Sequence, residues 1–163
     1  MCGIAGFCGS FSSELLEDMS SSIRHRGPDD QGLIELPAST TRVGFAHTRL
    51  SIIDLSPLGK QPLTVHCEKC GCGTNSSQKE RLWIIFNGEI YNYRELKKEL
   101  QSKGHHFHSL TDTEVILHLY AEEGISALKK LNGVFALALF DGRKNRSAGS
   151  LEWNEVLVAR DGL

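Results

Sequence analysis

The stretch Gly133-Val134-Phe135-Ala136-Leu137-Ala138-Leu139-Phe140 is apolar along its whole length. A strand of this kind is covered on both faces, because an exposed face would place a polar residue at every second position. Leu82–Phe86 has the same character, and the short, glycine-punctuated stretch Ile4–Cys8 also predicts a buried strand. Strands of mixed character are predicted at Gly32–Leu36, Arg42–His47 and Glu155–Arg160, with Leu50–Leu55 as a further candidate.

Four helices are predicted between these strands. The first begins at Ser12 or Ser13 and has one apolar face formed by Leu15, Leu16, Met19 and Ile23. Thr111-Asp112-Thr113-Glu114 has the spacing of a capping box, which predicts a helix from there through Glu122. The other two are predicted at Tyr93–Lys103 and Ile125–Leu131. This pattern favours an α+β fold with helices outside two stacked sheets, although a single α+β sheet also fits the periodicity.

The composition is that of a globular protein. The chain has 163 residues, of which 40% are hydrophobic and 23% charged, and its formal net charge is -2. This length fits one domain with a core of useful size. Because no run of one charge appears, neither nucleic acid nor an anionic membrane is predicted as a partner. No membrane-spanning stretch and no secretion signal are recognisable, so we expect a cytoplasmic location.

The second residue, Cys2, is a candidate nucleophile. Removal of Met1 would place a thiol and a free α-amine on one residue, and such an amine is basic enough to accept the thiol proton near neutral pH. Gly3 would leave room beside the thiol for substrate and water. The alternative is that a cysteine stands at position 2 by chance and has no catalytic role. Retention of Met1 would turn the amine into an amide, which would favour a non-catalytic binding or regulatory domain.

Motifs along nearly the whole chain carry a resemblance to a known family. They are Met1–Gly6, Arg24–Asp29, Ala46–Asp54 with Gly59–Pro62, Asn87–Asn92, Asp112–Ile116 and Ala159–Asp161. In this order they resemble class II glutamine amidotransferases, which are N-terminal-nucleophile hydrolases, and among them the glutaminase domain of glutamine-hydrolysing asparagine synthetases. The resemblance implies a four-layer α/β/β/α sandwich and the hydrolysis of L-glutamine to glutamate and ammonia.

The resemblance also implies how the reaction would proceed. Cys2 attacks the side-chain amide of glutamine and forms a γ-glutamyl thioester, which water then cleaves. The Asn87 side chain and the Gly88 N–H would stabilise the oxyanion, since such a charge needs preorganised donors. An Asn-Gly pair is otherwise typical of a hairpin turn.

Substrate recognition is implied for a further set of residues. Arg49 is the candidate for the α-carboxylate of glutamine, because a guanidinium fork matches a carboxylate, and Asp112 is the candidate for the α-ammonium. A solvated surface arginine and a helix-start carboxylate are the respective alternatives. Arg26 would shape the wall around Cys2. The remaining residues would line the pocket or contact the amino end of the substrate: Leu50, Ser51, Ile52, Ile53 and Glu89.

Residues 66–80 depart from the family pattern. They are polar and lack periodicity, which predicts an exposed loop insertion. Within it Cys67, Cys70 and Cys72 stand near His66 at spacings that tetrahedral zinc accepts. No second paired motif is present, so no metal site is assigned, and the alternative is a mobile insertion with thiols open to oxidation. Three further histidines are interpreted as a polar turn and strand start: His105, His106 and His108.

The end of the chain is the second departure. Relatives continue beyond Arg160–Leu163 into more strand and then an ATP-dependent synthetase domain, so residues 1–163 are expected to be a glutaminase domain truncated at its C-terminus. The glutaminase is expected to need no cofactor, whereas the synthetase domain, joined in cis, would use ATP and Mg to make asparagine from aspartate. A glutaminase that serves another acceptor remains an alternative. A sheet edge left open would favour a homodimer.

Overall fold

Seven strands and three α-helices form in the part of the chain that the structure describes. The computed structural model describes residues 2–37, 42–50, 56–70, 77 and 81–143, together with the backbone of 155–161. The strands are β1 (Gly3–Gly9), β2 (Asp30–Pro37), β3 (Arg42–Arg49), β4 (Leu63–Thr64), β5 (Leu82–Ile90), β6 (Gly133–Asp141) and β7 (Glu155–Asp161). The helices are α1 (Ser13–Ser22), α2 (Tyr93–Ser102) and α3 (Asp112–Glu123). Short 3-10 helices occupy Arg24–Arg26, Pro57–Gly59, Glu68–Cys70 and Gly124–Lys130.

The strands form two antiparallel sheets. In the first, β3 lies between β1 and β2, and Phe45 is opposite Gly6 on one side and Ile34 on the other. The second has the order β4-β5-β6-β7. Its longest pairing joins β5 and β6 in register from Leu82 opposite Asp141 to Ile90 opposite Gly133. The two strands predicted from the apolar stretches Leu82–Phe86 and Gly133–Phe140 are therefore confirmed, and they pair with each other.

Side chains from opposite faces of the second sheet fill two separate cores. One core lies between the sheets and consists of Leu36, Val43, Phe45, Trp83, Ile85 and Phe140. The other lies between the second sheet and the helices α2 and α3, and includes Ile84, Phe86, Leu137, Leu139, Leu96 and Leu100. Because successive residues of a strand point to opposite faces, β5 and β6 supply both cores. This double burial explains why their sequences are apolar at nearly every position.

Helix α1 covers the other face of the first sheet, where it packs against β1 and β3. Leu16 is buried, and so is Ser20 one turn later, whose hydroxyl accepts a hydrogen bond from Gln31 Nε2 of β2 at 2.5 Å. Leu15, which belongs to the predicted apolar face of this helix, is 36% exposed and lies at its edge. The layers follow in the order helix, sheet, sheet, helices, which confirms the predicted α/β/β/α sandwich.

The predicted exposed loop at residues 66–80 is wrong at two positions that the structure describes. Cys67 and Cys70 are only 3% and 1% exposed, because their thiols turn inward to the core beside α3. Residues 51–55, which include most of the candidate strand Leu50–Leu55, lie outside the described residues. Among the helices described, none is long and apolar enough to cross a membrane.

Candidate functional site

A cavity of about 350 Å³ opens where the two sheets meet the first turn of α3. Its walls come from the residue before β1, the end of β3, the second half of β5 and the start of α3. Seven residues predicted for the site line it: Cys2, Arg49, Leu50, Asn87, Gly88, Glu89 and Asp112. The other three, Ser51, Ile52 and Ile53, are outside the described residues. The volume is in the range of small-molecule sites.

Cys2 is held at the cavity by contacts with two other segments. Its Sγ accepts a hydrogen bond from the Leu50 N–H at 3.4 Å, and its carbonyl oxygen accepts one from Arg26 Nε at 3.0 Å. Arg26 therefore contacts the backbone of Cys2. Gly3 does not make room for substrate, since a Cβ there would lie 2.6 Å from Thr48 Oγ1 and 3.2 Å from Ile23. That expectation is wrong, because Gly3 instead allows β1 to pack closely on β3 and the residues after α1.

Arg49 is a buried cation at the cavity wall. Its exposed fraction is 8%, so the alternative of a solvated surface arginine is wrong. Nη1 donates a hydrogen bond to the Ser56 carbonyl oxygen at 3.0 Å. Gly59 lies against the other end of the guanidinium, where a Cβ would come within 2.5 Å of Nη2. These contacts orient a planar fork of donors that matches a carboxylate.

Asn87 and Gly88 lie inside β5, opposite Ala136 and Phe135 of β6. The alternative of a hairpin turn is therefore wrong. Gly88 has φ +153°, and a Cβ there would collide with the Val134 carbonyl oxygen and lie 2.5 Å from Phe135 Cα. Only glycine fits this conformation and this close approach. The backbone at Gly88 consequently borders the cavity without a side chain in front of it.

Asp112 is the first residue of α3, and its side chain reaches across to β5. Oδ2 accepts a hydrogen bond from the Ile90 N–H at 2.9 Å, and the residue is 5% exposed. Burial raises the pKa of this carboxyl, while the backbone N–H groups of Ile90 and Thr113 act in the opposite direction. Asp112 is thus both a helix-start residue and a cavity-lining carboxylate. A cationic group in the cavity would compensate the burial of its charge.

Two further polar residues of the cavity wall are not singled out by the sequence. Gln61 Oε1 accepts a hydrogen bond from the Phe86 N–H at 2.6 Å, and Nε2 donates one to Thr113 Oγ1 at 3.4 Å. Gln61, which lies just before β4 begins, thereby joins β5 to α3. His47 of β3 is 1% exposed, and burial lowers its pKa to about 4. The only sequence signal for either residue is its position inside one of the motifs quoted above.

The cysteines considered as metal ligands lie apart from this cavity. Cys67 and Cys70 belong to the core beside α3, and Cys72 is outside the described residues. His105 is 3% exposed and faces both thiols, so its interpretation as part of a polar turn is wrong. His106 and His108 are exposed.

Comparison with known proteins identifies the class to which this fold and cavity belong. The sequence profile of the glutamine amidotransferase domain matches residues 1–161. The chain therefore belongs to the glutamine amidotransferase domain family, and the predicted class of enzyme is confirmed. Within that class it is homologous to part of the glutamine-hydrolysing asparagine synthetases.

Two relatives show how far this homology extends. Glutamine-hydrolysing asparagine synthetase 1 of Bacillus subtilis is 40% identical over 148 residues, which cover 86% of this chain and 21% of the relative. Glutamine-hydrolysing asparagine synthetase 1 of Arabidopsis thaliana is 34% identical over 168 residues, covering 100% of this chain and 24% of the relative. The chain thus spans about a quarter or less of the length of these two relatives.

A solved structure confirms the fold. The glutamine phosphoribosylpyrophosphate amidotransferase of Bacillus subtilis superposes with a TM-score of 0.64 at 19% sequence identity, covering 85% of this chain and 35% of that one. At this identity the similarity establishes the architecture alone. It agrees with the layers described above.

Proposed function

We propose that this domain hydrolyses L-glutamine to L-glutamate and ammonia through a γ-glutamyl thioester on Cys2. The observation that carries the proposal is the content of one cavity, in which a thiol, a buried guanidinium and a buried carboxylate come together. These three groups match the reacting amide, the α-carboxylate and the α-ammonium of free glutamine.

The chemical steps follow from the placement of Cys2 and of the Asn87-Gly88 pair. Cys2 Sγ attacks the side-chain carbonyl carbon, and the Cys2 α-amine, free after removal of Met1, takes the thiol proton. The Asn87 amide and the Gly88 N–H donate hydrogen bonds to the oxyanion that forms. Collapse of this intermediate breaks the C–N bond, and the amine returns its proton to the departing ammonia. Water then attacks the thioester and the C–S bond breaks, which releases glutamate and regenerates the Cys2 thiol.

Recognition of the substrate falls to the charged groups of the wall. Arg49 binds the α-carboxylate of glutamine, and Asp112 binds the α-ammonium, which compensates the burial of the Asp112 charge. Glu89 contacts the same amino end from the rim. The pocket lining is completed by Leu50, Ser51, Ile52 and Ile53. None of these steps requires a metal or an organic cofactor.

The destination of the ammonia is proposed from the relatives. The relatives above are named asparagine synthetases, and each is more than four times as long as the matched region. We therefore assign the acceptor to a synthetase domain joined in cis, which would use ATP and Mg to make asparagine from aspartate in the cytoplasm. A different acceptor would leave the glutaminase site unchanged. A homodimer remains a prediction.

The nucleophile is tested by replacing it. Cys2→Ala should abolish glutamate release and labelling by a glutamine-analogue electrophile, while circular dichroism shows the same fold. The matched control is Cys8→Ser, because Cys8 is an exposed thiol on β1 that does not line the cavity. Intact mass spectrometry should show that active protein has lost Met1. Full activity of Cys2→Ala, or full activity of protein that retains Met1, would overturn the proposal.

The role of Asp112 is tested through substrate affinity. Asp112→Asn keeps the size of the side chain and removes the charge that pairs with the α-ammonium. We expect KM for glutamine to rise by roughly tenfold or more, because one partner of a buried charge pair is lost. The control is Asp18→Asn, which removes an exposed carboxylate on α1. An unchanged KM in Asp112→Asn would contradict this assignment.

A further inference from the structure

Four buried side chains from three segments of the chain meet beside α3. They are Cys67 and Cys70, from the turn after β4, His105, from the turn after α2, and His118, from the middle of α3. Each offers one ligand atom, and these four atoms all lie within 4.8 Å of one another. The exposed fractions of all four residues are 3% or less. Thiols and imidazoles rarely converge in this way in an apolar core without a partner that uses their lone pairs.

The distances between these atoms are those of a small coordination polyhedron. His105 Nδ1 lies 3.9 Å from Cys67 Sγ and 3.4 Å from Cys70 Sγ. His118 Nδ1 lies 3.0 Å from both Cys70 Sγ and His105 Nδ1. Zinc holds sulfur at about 2.3 Å and nitrogen at about 2.0–2.1 Å, which places tetrahedral ligands roughly 3.3–3.8 Å apart. The observed spacings bracket that range.

A carboxylate lies on the far side of each ring, within hydrogen-bond distance at His105 and farther away at His118. His105 Nε2 lies 2.9 Å from Glu122 Oε1, and His118 Nε2 lies 3.5 Å from Glu114 Oε1. At His105 the carboxylate favours the tautomer with the proton on Nε2, which leaves the Nδ1 lone pair available, and the same tautomer of His118 would leave its Nδ1 lone pair available too. In that tautomer two lone pairs face each other across 3.0 Å. A cation between the two Nδ1 atoms removes this repulsion, and carboxylate–histidine–metal arrangements are a common feature of zinc sites.

We propose that Cys67, Cys70, His105 and His118 bind one structural zinc ion. The two thiolates and two imidazoles form a tetrahedral set typical of zinc, and two thiolates neutralise the charge of the ion in the core. The site is closed, because four protein ligands fill the coordination sphere and all are buried. A closed set indicates a structural role rather than a catalytic one.

Backbone hydrogen bonds hold the two cysteines of this set in place. The Cys70 N–H donates a hydrogen bond to the Cys67 carbonyl oxygen at 3.1 Å, which closes a tight turn between the two thiols. Arg143 Nη1 donates to the Cys70 carbonyl oxygen at 2.9 Å from the end of β6. Zinc would therefore cross-link this turn to α3 through His118. The first residue of the same helix, Asp112, lines the cavity. The site shares no ligand with the glutaminase chemistry and stands independently of the proposed function.

Metal content and spectroscopy test the proposal. The full chain, purified under reducing conditions without chelator, should contain about one zinc per molecule by elemental mass spectrometry. Cys67→Ser and His105→Asn should lose most of that zinc. The matched controls are Cys8→Ser and His106→Asn, which change an exposed thiol and the exposed histidine next to His105 and should keep it.

A second measurement remains informative where ligand variants unfold. Wild-type protein stripped of metal and titrated with Co²⁺ should show tetrahedral d–d absorption and a thiolate-to-cobalt charge-transfer band, saturating at one equivalent and displaced by Zn²⁺. Removal of zinc by a strong chelator should lower the melting temperature of the wild type. Folded wild-type protein that contains no zinc and gives no such cobalt spectrum would overturn the proposal. Equal zinc content in Cys67→Ser and Cys8→Ser would overturn it as well.

Discussion

His47 of β3 is buried at the cavity between the two sheets, and the pH dependence of stability tests this burial quantitatively. The imidazole is 1% exposed, and in the part of the chain that the structure describes its Nε2 has no hydrogen-bond partner. Burial lowers its pKa from 6.5 to about 4; a hydrogen bond to the Phe86 backbone opposes this, and the nearby Arg49 charge adds to it. The native state therefore holds His47 neutral at pH values where the unfolded chain binds a proton.

The sign and size of the effect follow from this difference. Because the pKa is lower in the folded state, the contribution of neutral His47 to stability is fully present above pH 6.5. It is lost progressively as the pH falls towards 4. One pKa unit corresponds to about 1.4 kcal/mol, so this one residue can cost at most about 3.5 kcal/mol of unfolding free energy across the window. That is a large fraction of the stability of a typical domain.

Urea unfolding across this pH window measures the effect. Other groups also titrate there, so the informative quantity is the difference in pH dependence between wild type and His47→Asn, which share every other group. We expect the variant to lose less stability than the wild type as the pH falls from 6.5 to 4. His106→Asn, which removes an exposed imidazole, should follow the wild-type curve. Parallel curves for wild type and His47→Asn would refute the reasoning.

Two substitutions test the backbone around the cavity. Gly88→Ala should lower the unfolding free energy measured in urea by about 1–3 kcal/mol. The new Cβ would collide with the Val134 carbonyl oxygen, and the φ of +153° disfavours any side chain. A variant as stable as the wild type would contradict the close approach of β5 and β6 at this position. Thr111→Ala should cost about 1 kcal/mol in the same assay, since its Oγ1 accepts the Glu114 N–H at 3.3 Å and caps α3. The control for the cap is Ser12→Ala, because Ser12 precedes α1 without a side-chain hydrogen bond.

The capping box of α3 shows which contacts a local sequence pattern predicts and which it does not. The sequence predicts Thr111 as the cap, and the hydrogen bond confirms it. The reciprocal contact differs, because Glu114 accepts hydrogen bonds from the His108 and Ser109 N–H groups at 2.8 and 2.7 Å and not from the cap residue itself. The preceding turn folds back over the helix start, which local spacing cannot reveal.

The proposed glutamine site and the proposed zinc site differ in how far the sequence indicates them. Residues proposed for the glutamine site stand in motifs that resemble a known family, and seven of those residues line one cavity in the structure. The zinc site has only one recognisable half, the Cys67-Cys70 pair. His105 lies in the turn before α3 and His118 lies within α3, and nothing in the local sequence of either indicates a metal ligand. Their pairing depends on how α3 lies against the turn after β4.

The amino-acid sequence by itself indicated most of the strands and helices, because burial on both faces of β5 and β6 demands apolar side chains at nearly every position. It did not decide between two stacked sheets and a single sheet, and it did not indicate β4. It also determined the candidate nucleophile and its class of substrate, since those residues stand in ordered motifs. Tertiary structure alone decided that Asn87-Gly88 lies in a strand, that Arg49 is buried, and that two thiols meet two histidines. These are contacts between segments far apart in the chain, and their geometry is set by the packing of layers, which no local pattern encodes.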